Sequence, residues 1–148
     1  MENYIINNKT IAILKKNNMT ILYDVDNIRV INKNIKKVLD ENCSFYGSSM
    51  LGRQKSAKNL LNIHYKVPII IKEDIILMQI NNIRDKECYF LVLNKIVDYK
   101  YENQKLKISC INNRVFFLNL SRNSFEKMLI NSIKLNNILK WQKNANFV

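Results

Sequence analysis

Apolar and polar positions alternate over short distances in the first third of the chain. Tyr4–Ile6, Thr10–Leu14, Met19–Asp24 and Asn27–Ile31 are β-branched stretches of strand length, and polar pairs such as Asn7-Asn8, Asn17-Asn18 and Asp26-Asn27 separate them. That spacing predicts short strands joined by tight turns. The period changes at Asn34, where Ile35, Val38 and Leu39 fall at helical spacing and predict a short amphipathic helix to Asn42. Met50, Ala57, Leu60 and Leu61 predict a second helix from about Ser49 to Leu61, with Ser48 as its N-cap and Asn62 as a left-handed C-cap. Extended chain is expected again over Ile63–Lys66 and Val67–Ile71, because Pro68 keeps Val67 out of the helical region.

The second half continues the strand pattern. Asp74–Ile80, Glu87–Leu93 and Ile96–Tyr101 are strand-like, and the near-continuous apolar character of Glu87–Leu93 predicts a central strand. Lys105–Ile111 and Arg114–Leu120 flank Asn112-Asn113 as a hairpin, and Lys105, Lys107 and Ser109 alternate with Leu106, Ile108 and Cys110 as on a half-exposed strand. A capping box, Asn123 to Glu126, then predicts a helix over about 124–141 with Phe125, Met128, Leu129, Ile133 and Leu139 as its buried stripe. Lys127, Lys134 and Lys140 fall on its wetter sides. The expected fold is α+β: one antiparallel, strand-rich domain over 1–148, with a short basic helix (about 49–61) and a C-terminal helix (about 124–141).

Composition adds a partner class. The hydrophobic share of 47% suffices for a core, while the net charge is +12 and the isoelectric point about 9.7. The charge is segregated: residues 43–72 carry 5 basic and no acidic side chains, and residues 104–148 carry 8 basic and 1 acidic. Such an excess calls for a polyanion, with nucleic acid ahead of an anionic membrane surface. The three cysteines, Cys43, Cys88 and Cys110, are widely spaced without a C-x-x-C pair, which argues for a reducing compartment and against a disulfide framework or zinc finger. The start lacks the basic and apolar regions of a signal peptide, and apolar runs such as Val67–Ile71 are too short to span a bilayer, so a soluble cytoplasmic protein is expected.

The most specified stretch is 42–71, which holds both glycines (Gly47, Gly52), the only proline (Pro68) and the only histidine (His64). Gly47-Ser48-Ser49 before a helix resembles a phosphate cradle, because a helix N-terminus offers unpaired N–H groups and partial positive charge. The alternative is a plain helix cap. An enzyme would use Cys43 with His64, or Ser48 and Ser49, but no G-x-S-x-G elbow is present. Neither a metal site nor a cofactor site is expected from one histidine and dispersed cysteines. The residues assigned to nucleic-acid contact are Ser48, Ser49, Arg53, Lys55 and Lys58, with Lys66, Lys105, Lys107, Arg114 and Arg122 in second rank; the residues alone do not say which nucleic acid. Tyr46, Tyr65, Phe116 and Phe117 are weighed as base-stacking or core aromatics.

Four blocks in order, C-S-F-Y-G-S-S-M-L-G-R (43–53), Y-K-V-P-I (65–69), V-D-Y-K (97–100) and N-L-S-R-N-S-F-E (119–126), resemble the landmarks of the ComK family, the competence transcription factors of low-G+C Gram-positive bacteria. The resemblance spans about 40–142, with G-S-S-x-x-G-R and S-F-E its specific parts. It implies a cytoplasmic, nucleoid-associated activator that binds double-stranded DNA at AT-rich promoter boxes through the minor groove. It also implies a homo-oligomer, a dimer or paired dimers on DNA, that assists RNA polymerase. Delivery to a Clp protease by an adapter is not expected of a chain that stops at Val148, seven residues after Trp141. Two other readings stand beside this one: a small enzyme or phosphate-ligand module centred on Gly47–Arg53, and a phage or mobile-element DNA-binding relative that does not activate transcription.

Overall fold

Turn chemistry organises the fold of a chain with only two glycines. In the computed structural model, which describes residues 3–145, nine non-glycine residues adopt positive φ, and six of them are asparagines: Asn17, Asn62, Asn81, Asn103, Asn112 and Asn113. Asparagine tolerates the left-handed region better than other residues with a Cβ, so it takes the place of glycine at the hairpin tips. Both residues of the Asn103-Gln104 and Asn112-Asn113 pairs have positive φ, the geometry whose twist matches paired strands.

Nine strands form two sheets. The larger has six strands in the order β3-β2-β1-β6-β5-β4, built from β1 (Thr10–Lys16), β2 (Met19–Asp24), β3 (Ile28–Ile31), β4 (Ile69–Lys72), β5 (Ile75–Ile80) and β6 (Tyr89–Val92). The smaller is the meander β7 (Ile96–Glu102), β8 (Lys105–Cys110) and β9 (Val115–Leu118). Every pairing is antiparallel. The apolar run around Phe90 lies between β1 and β5, central as its composition predicts.

The period-two pattern sorts side chains onto the two faces of the large sheet. Ile13, Leu22, Leu77, Phe90 and Val92 point toward α1 (Ile35–Phe45) and the N-terminal segment. Ile11, Ala12, Met78, Ile80 and Leu91 point toward Leu106, Ile108, Phe116 and Leu118 of the small sheet and the start of α3 (Arg122–Ala145). A third cluster joins Ala57 and Leu61 of α2 (Met50–Leu61) to Ile70, Ile76 and Leu135. Because β1, β5 and β6 are covered on both faces, β5, β6 and the Ile11–Leu14 part of β1 are almost wholly apolar, whereas β8 alternates.

Five expectations are corrected. Tyr4–Ile6 is not a strand; it is held by Asn42, whose side chain supplies the partners a sheet would have provided. Ile63–Lys66 is irregular, with Lys66 at φ 49. The N-cap of α2 is Ser49 rather than Ser48, and Asn62 closes the helix in the left-handed region as predicted. The helix α3 opens at Arg122, where the Ser121 hydroxyl accepts from the Ser124 N–H at 3.1 Å, and runs to Ala145. Its buried face uses Phe125, Met128, Ser132 and Leu135, while Ile133 is exposed. The small hydroxyl of Ser132 is buried by donating to the Met128 carbonyl at 2.9 Å, an option that apolar periodicity does not register.

Candidate nucleic-acid interface

The G-S-S-x-x-G-R motif joins α1 to α2 and has a geometric reason at each position. Asn34 caps α1 by accepting the Lys37 N–H. At the other end Gly47 N–H donates to Ser44 O at 3.0 Å and Ser48 N–H to Cys43 O at 2.9 Å, the paired bonds of a left-handed helix stop. Gly47 sits at φ +88, and a Cβ there meets nothing within 4 Å, so its constraint is backbone strain alone. Gly47→Ala is therefore expected to cost about 1–2 kcal/mol in urea unfolding while leaving the fold intact. Gly52 has a different reason: a Cβ there lies 3.1 Å from Ser49 Oγ and 3.2 Å from Ser48 Oγ, so the two hydroxyls occupy that space.

Two of the N–H groups at the start of α2 are satisfied from within the protein. Ser49 Oγ accepts the Gly52 N–H at 3.0 Å, and Asp40 of α1 accepts the Met50 N–H at 3.1 Å. A carboxylate thus stands where a cradle would hold a phosphate, with the favourable sign for a helix N-terminus. Arg53 turns inward: its Nη2 donates to the Tyr46 carbonyl at 3.1 Å, and its buried Nε has no partner among the described residues. Ser48, Ser49 and Arg53 are brought together as the framework of the turn.

Lys55 and Lys58 face solvent on α2, on the same side as Leu51, which is 76% exposed. A groove of about 810 Å³ opens beside Leu51, lined also by Lys36 and Lys37 of α1 and by Arg84 from the β5–β6 connection. Its one acid is Asp40, already engaged with Met50. The cations at 36, 37 and 84 were not among the residues singled out from the sequence. The Lys36-Lys37 pair at a helix start was a visible signal, but Arg84 reaches this groove only through the sheet topology.

The second-rank residues are scattered. Lys66 lies in a separate cavity of about 410 Å³ with His64, Tyr65 and Lys127, its ammonium 5.5 Å from the Tyr65 ring centroid. Lys105 and Lys107 project from the outer face of the small sheet, where Lys107 and Lys100 share Glu102 at 3.9 and 3.8 Å. Arg114 lies over the Tyr23 ring and donates to the Asp24 carbonyl; Arg122 lies over Tyr99 and 3.7 Å from Glu126. Phe116 is buried between Tyr23 and Tyr89, while Phe117 is exposed.

The nucleophile reading finds an unfavourable environment. Cys43 is buried and desolvation raises its thiol pKa, the opposite of an activated thiolate; Arg53 lowers it by less. Burial pushes Cys88 up to about 12 and Cys110 to about 11. Among the described residues no group of three His, Cys, Asp or Glu side chains is placed to hold a metal ion, and no helix is long and apolar enough to cross a membrane.

A family profile described as ComK protein matches residues 1–144, taking in both sheets and all three helices. The chain belongs to the ComK family. It is 24% identical over 136 residues to the competence transcription factor of Bacillus subtilis (strain 168), an alignment covering 87% of this chain and 71% of that protein. No solved structure matches the chain.

Proposed function

We propose that this regulator binds double-stranded DNA at AT-rich promoter boxes through the minor groove, with the exposed face of α2 as the contact surface. The observation that carries the reading is the groove beside Leu51 of α2, lined by Lys36, Lys37 and Arg84 with its only acid already bonded, together with the exposed Lys55 and Lys58 on the same side of α2 as Leu51. Long cationic side chains respond to groove width and potential, which are most favourable in A/T runs, and form no bidentate base code. Ser48, Ser49 and Arg53 serve by fixing the turn that presents this face. Lys66, Lys105, Lys107, Arg114 and Arg122 lie on other surfaces and contribute to the general attraction for DNA. The protein acts as a dimer or paired dimers at the nucleoid and assists RNA polymerase.

Titration of fluorescent duplexes carrying spaced A/T runs, against G/C-rich duplexes over a salt series, tests this. Tighter binding to A/T runs is expected, with log affinity falling linearly with log salt. Lys55→Ala/Lys58→Ala should weaken binding to both duplexes and lower the salt slope by about 2, one unit per lost phosphate contact. Binding without A/T preference and without salt dependence would defeat the DNA reading; a normal slope in the double variant would move the contact surface off α2.

A further inference from the structure

Two of the four ordered sequence blocks meet at a cleft that lies outside the α2 groove. Tyr65 and Lys66 of Y-K-V-P-I line it together with Ile63 and His64, on the segment between α2 and β4. The helix α3 supplies the rest from one face: Ser124 of N-L-S-R-N-S-F-E, then Lys127, Met128 and Asn131, at i, i+3, i+4 and i+7. The cleft holds about 410 Å³, within the range of small-ligand sites. Its described lining offers three groups that suit an anion, His64, Lys66 and Lys127, and no acidic side chain. It also has an apolar part, half-buried Ile63 and buried Met128.

The segment on one side of this cleft is held in an uncommon conformation. Lys66 has φ 49 and is the one basic residue among the nine described non-glycine residues with positive φ. Asparagine adopts that region at lower cost, so a lysine there is explained by what its ammonium reaches. The turn sets Lys66 Nζ 5.5 Å from the Tyr65 ring centroid, and Asn82 donates to the Tyr65 hydroxyl at 3.4 Å. The ring is 67% exposed yet held at both points, an aromatic surface fixed beside a cation.

We infer that this cleft binds a free nucleoside diphosphate. Lys66 and Lys127 take the phosphates as point charges. His64 adds an N–H, which its ring carries in either tautomer. The base stacks on Tyr65 and covers Ile63 and Met128, and the Asn131 amide meets the ribose hydroxyls. Duplex DNA would bring phosphates to the lysines, but its bases are paired and stacked and leave the aromatic and apolar lining unused. The site needs no DNA and shares no residue with the α2 groove, so this inference and the DNA reading fail separately.

Equilibrium dialysis of the full chain against ADP, inorganic pyrophosphate and adenosine, at about 0.15 M salt to screen the net charge, tests it. ADP should bind at least about tenfold more tightly than either fragment, since each lacks one half of the contacts. Lys66→Asn/Lys127→Ala should weaken ADP binding at least about tenfold, asparagine being chosen because it tolerates the positive φ. Lys55→Ala/Lys58→Ala removes the same charge from α2 and should leave ADP binding unchanged. Tyr65→Ala, at an exposed position, should weaken ADP roughly tenfold and leave pyrophosphate binding unchanged. Melting of each variant should match the wild type, which separates loss of the site from loss of the fold. No ADP binding at millimolar concentration, equal losses in the two double variants, normal ADP binding by Tyr65→Ala, or displacement of ADP by a short duplex would overturn the inference.

Discussion

Phe90→Ala is expected to remove about 4 kcal/mol of stability, the range for deleting a fully buried aromatic ring. Phe90 has no solvent exposure, sits on β6 between β1 and β5, and lies in register with Ile13 on one side and Gln79 on the other. Two paired strands and the α1 cluster hold its surroundings in place, so the cavity cannot collapse and the full cost is felt. Domains of this size are stable by only about 5–15 kcal/mol, so the variant should retain a small margin. Phe117→Ala provides the contrast. Its ring is 52% exposed on the outer face of the small sheet, and its removal should change stability by less than about 1 kcal/mol. Urea unfolding of the two variants measures the difference directly. Equal losses would mean that the large sheet is not the organising core.

Asn42→Ala should cost about 3 kcal/mol for a different reason. Asn42 is 1% exposed; its Oδ1 accepts the Ile6 N–H at 2.7 Å, and its Nδ2 donates to the Tyr4 and Val38 carbonyls at 2.9 Å. The side chain therefore acts as a substitute β-partner, tying the N-terminal segment to α1. Truncation leaves a buried N–H and a buried carbonyl without partners, each costing about 1–3 kcal/mol. Asn42→Asp keeps the acceptor but loses both donors and places a charge in the core, so it should be no better than alanine. Hydrogen exchange should locate the effect: the Ile6 amide loses protection first, ahead of the β5 and β6 amides. Uniform loss of protection in Asn42→Ala would contradict a local clasp.

Strand positions and turns were legible because they depend on neighbours in the chain. The Met19–Asp24 strand agrees at both ends, the Asn pairs mark real reversals, and the near-continuous apolar run around Phe90 is central. The misreadings share one cause. Tyr4–Ile6 carries strand-like residues yet receives its hydrogen bonds from a side chain 36 or more residues away. Ile133, expected in the buried stripe, is exposed while Ser132 is buried, because helical periodicity gives the angle between stripes but not which stripe meets the sheet. The candidate site divides the same way. The helix stop at Gly47 and the basic character of α2 follow from local residues. That Asp40 caps Met50, that Arg53 is spent on the Tyr46 carbonyl and that Arg84 joins the groove follow only from packing.

The amino-acid sequence by itself determined the strand-rich α+β composition of the fold, the segregated positive charge and the ordered motifs of the ComK family, since each is written in residue type and spacing. The three-dimensional arrangement decided which cations share a surface, which glycine serves a positive φ and which makes room for two serine hydroxyls, and which stripe of α3 is left facing outward. Those outcomes depend on contacts between residues distant in the chain. Local propensity and periodicity carry no information about them, because the free energy that selects them is released only when the sheets and helices pack together.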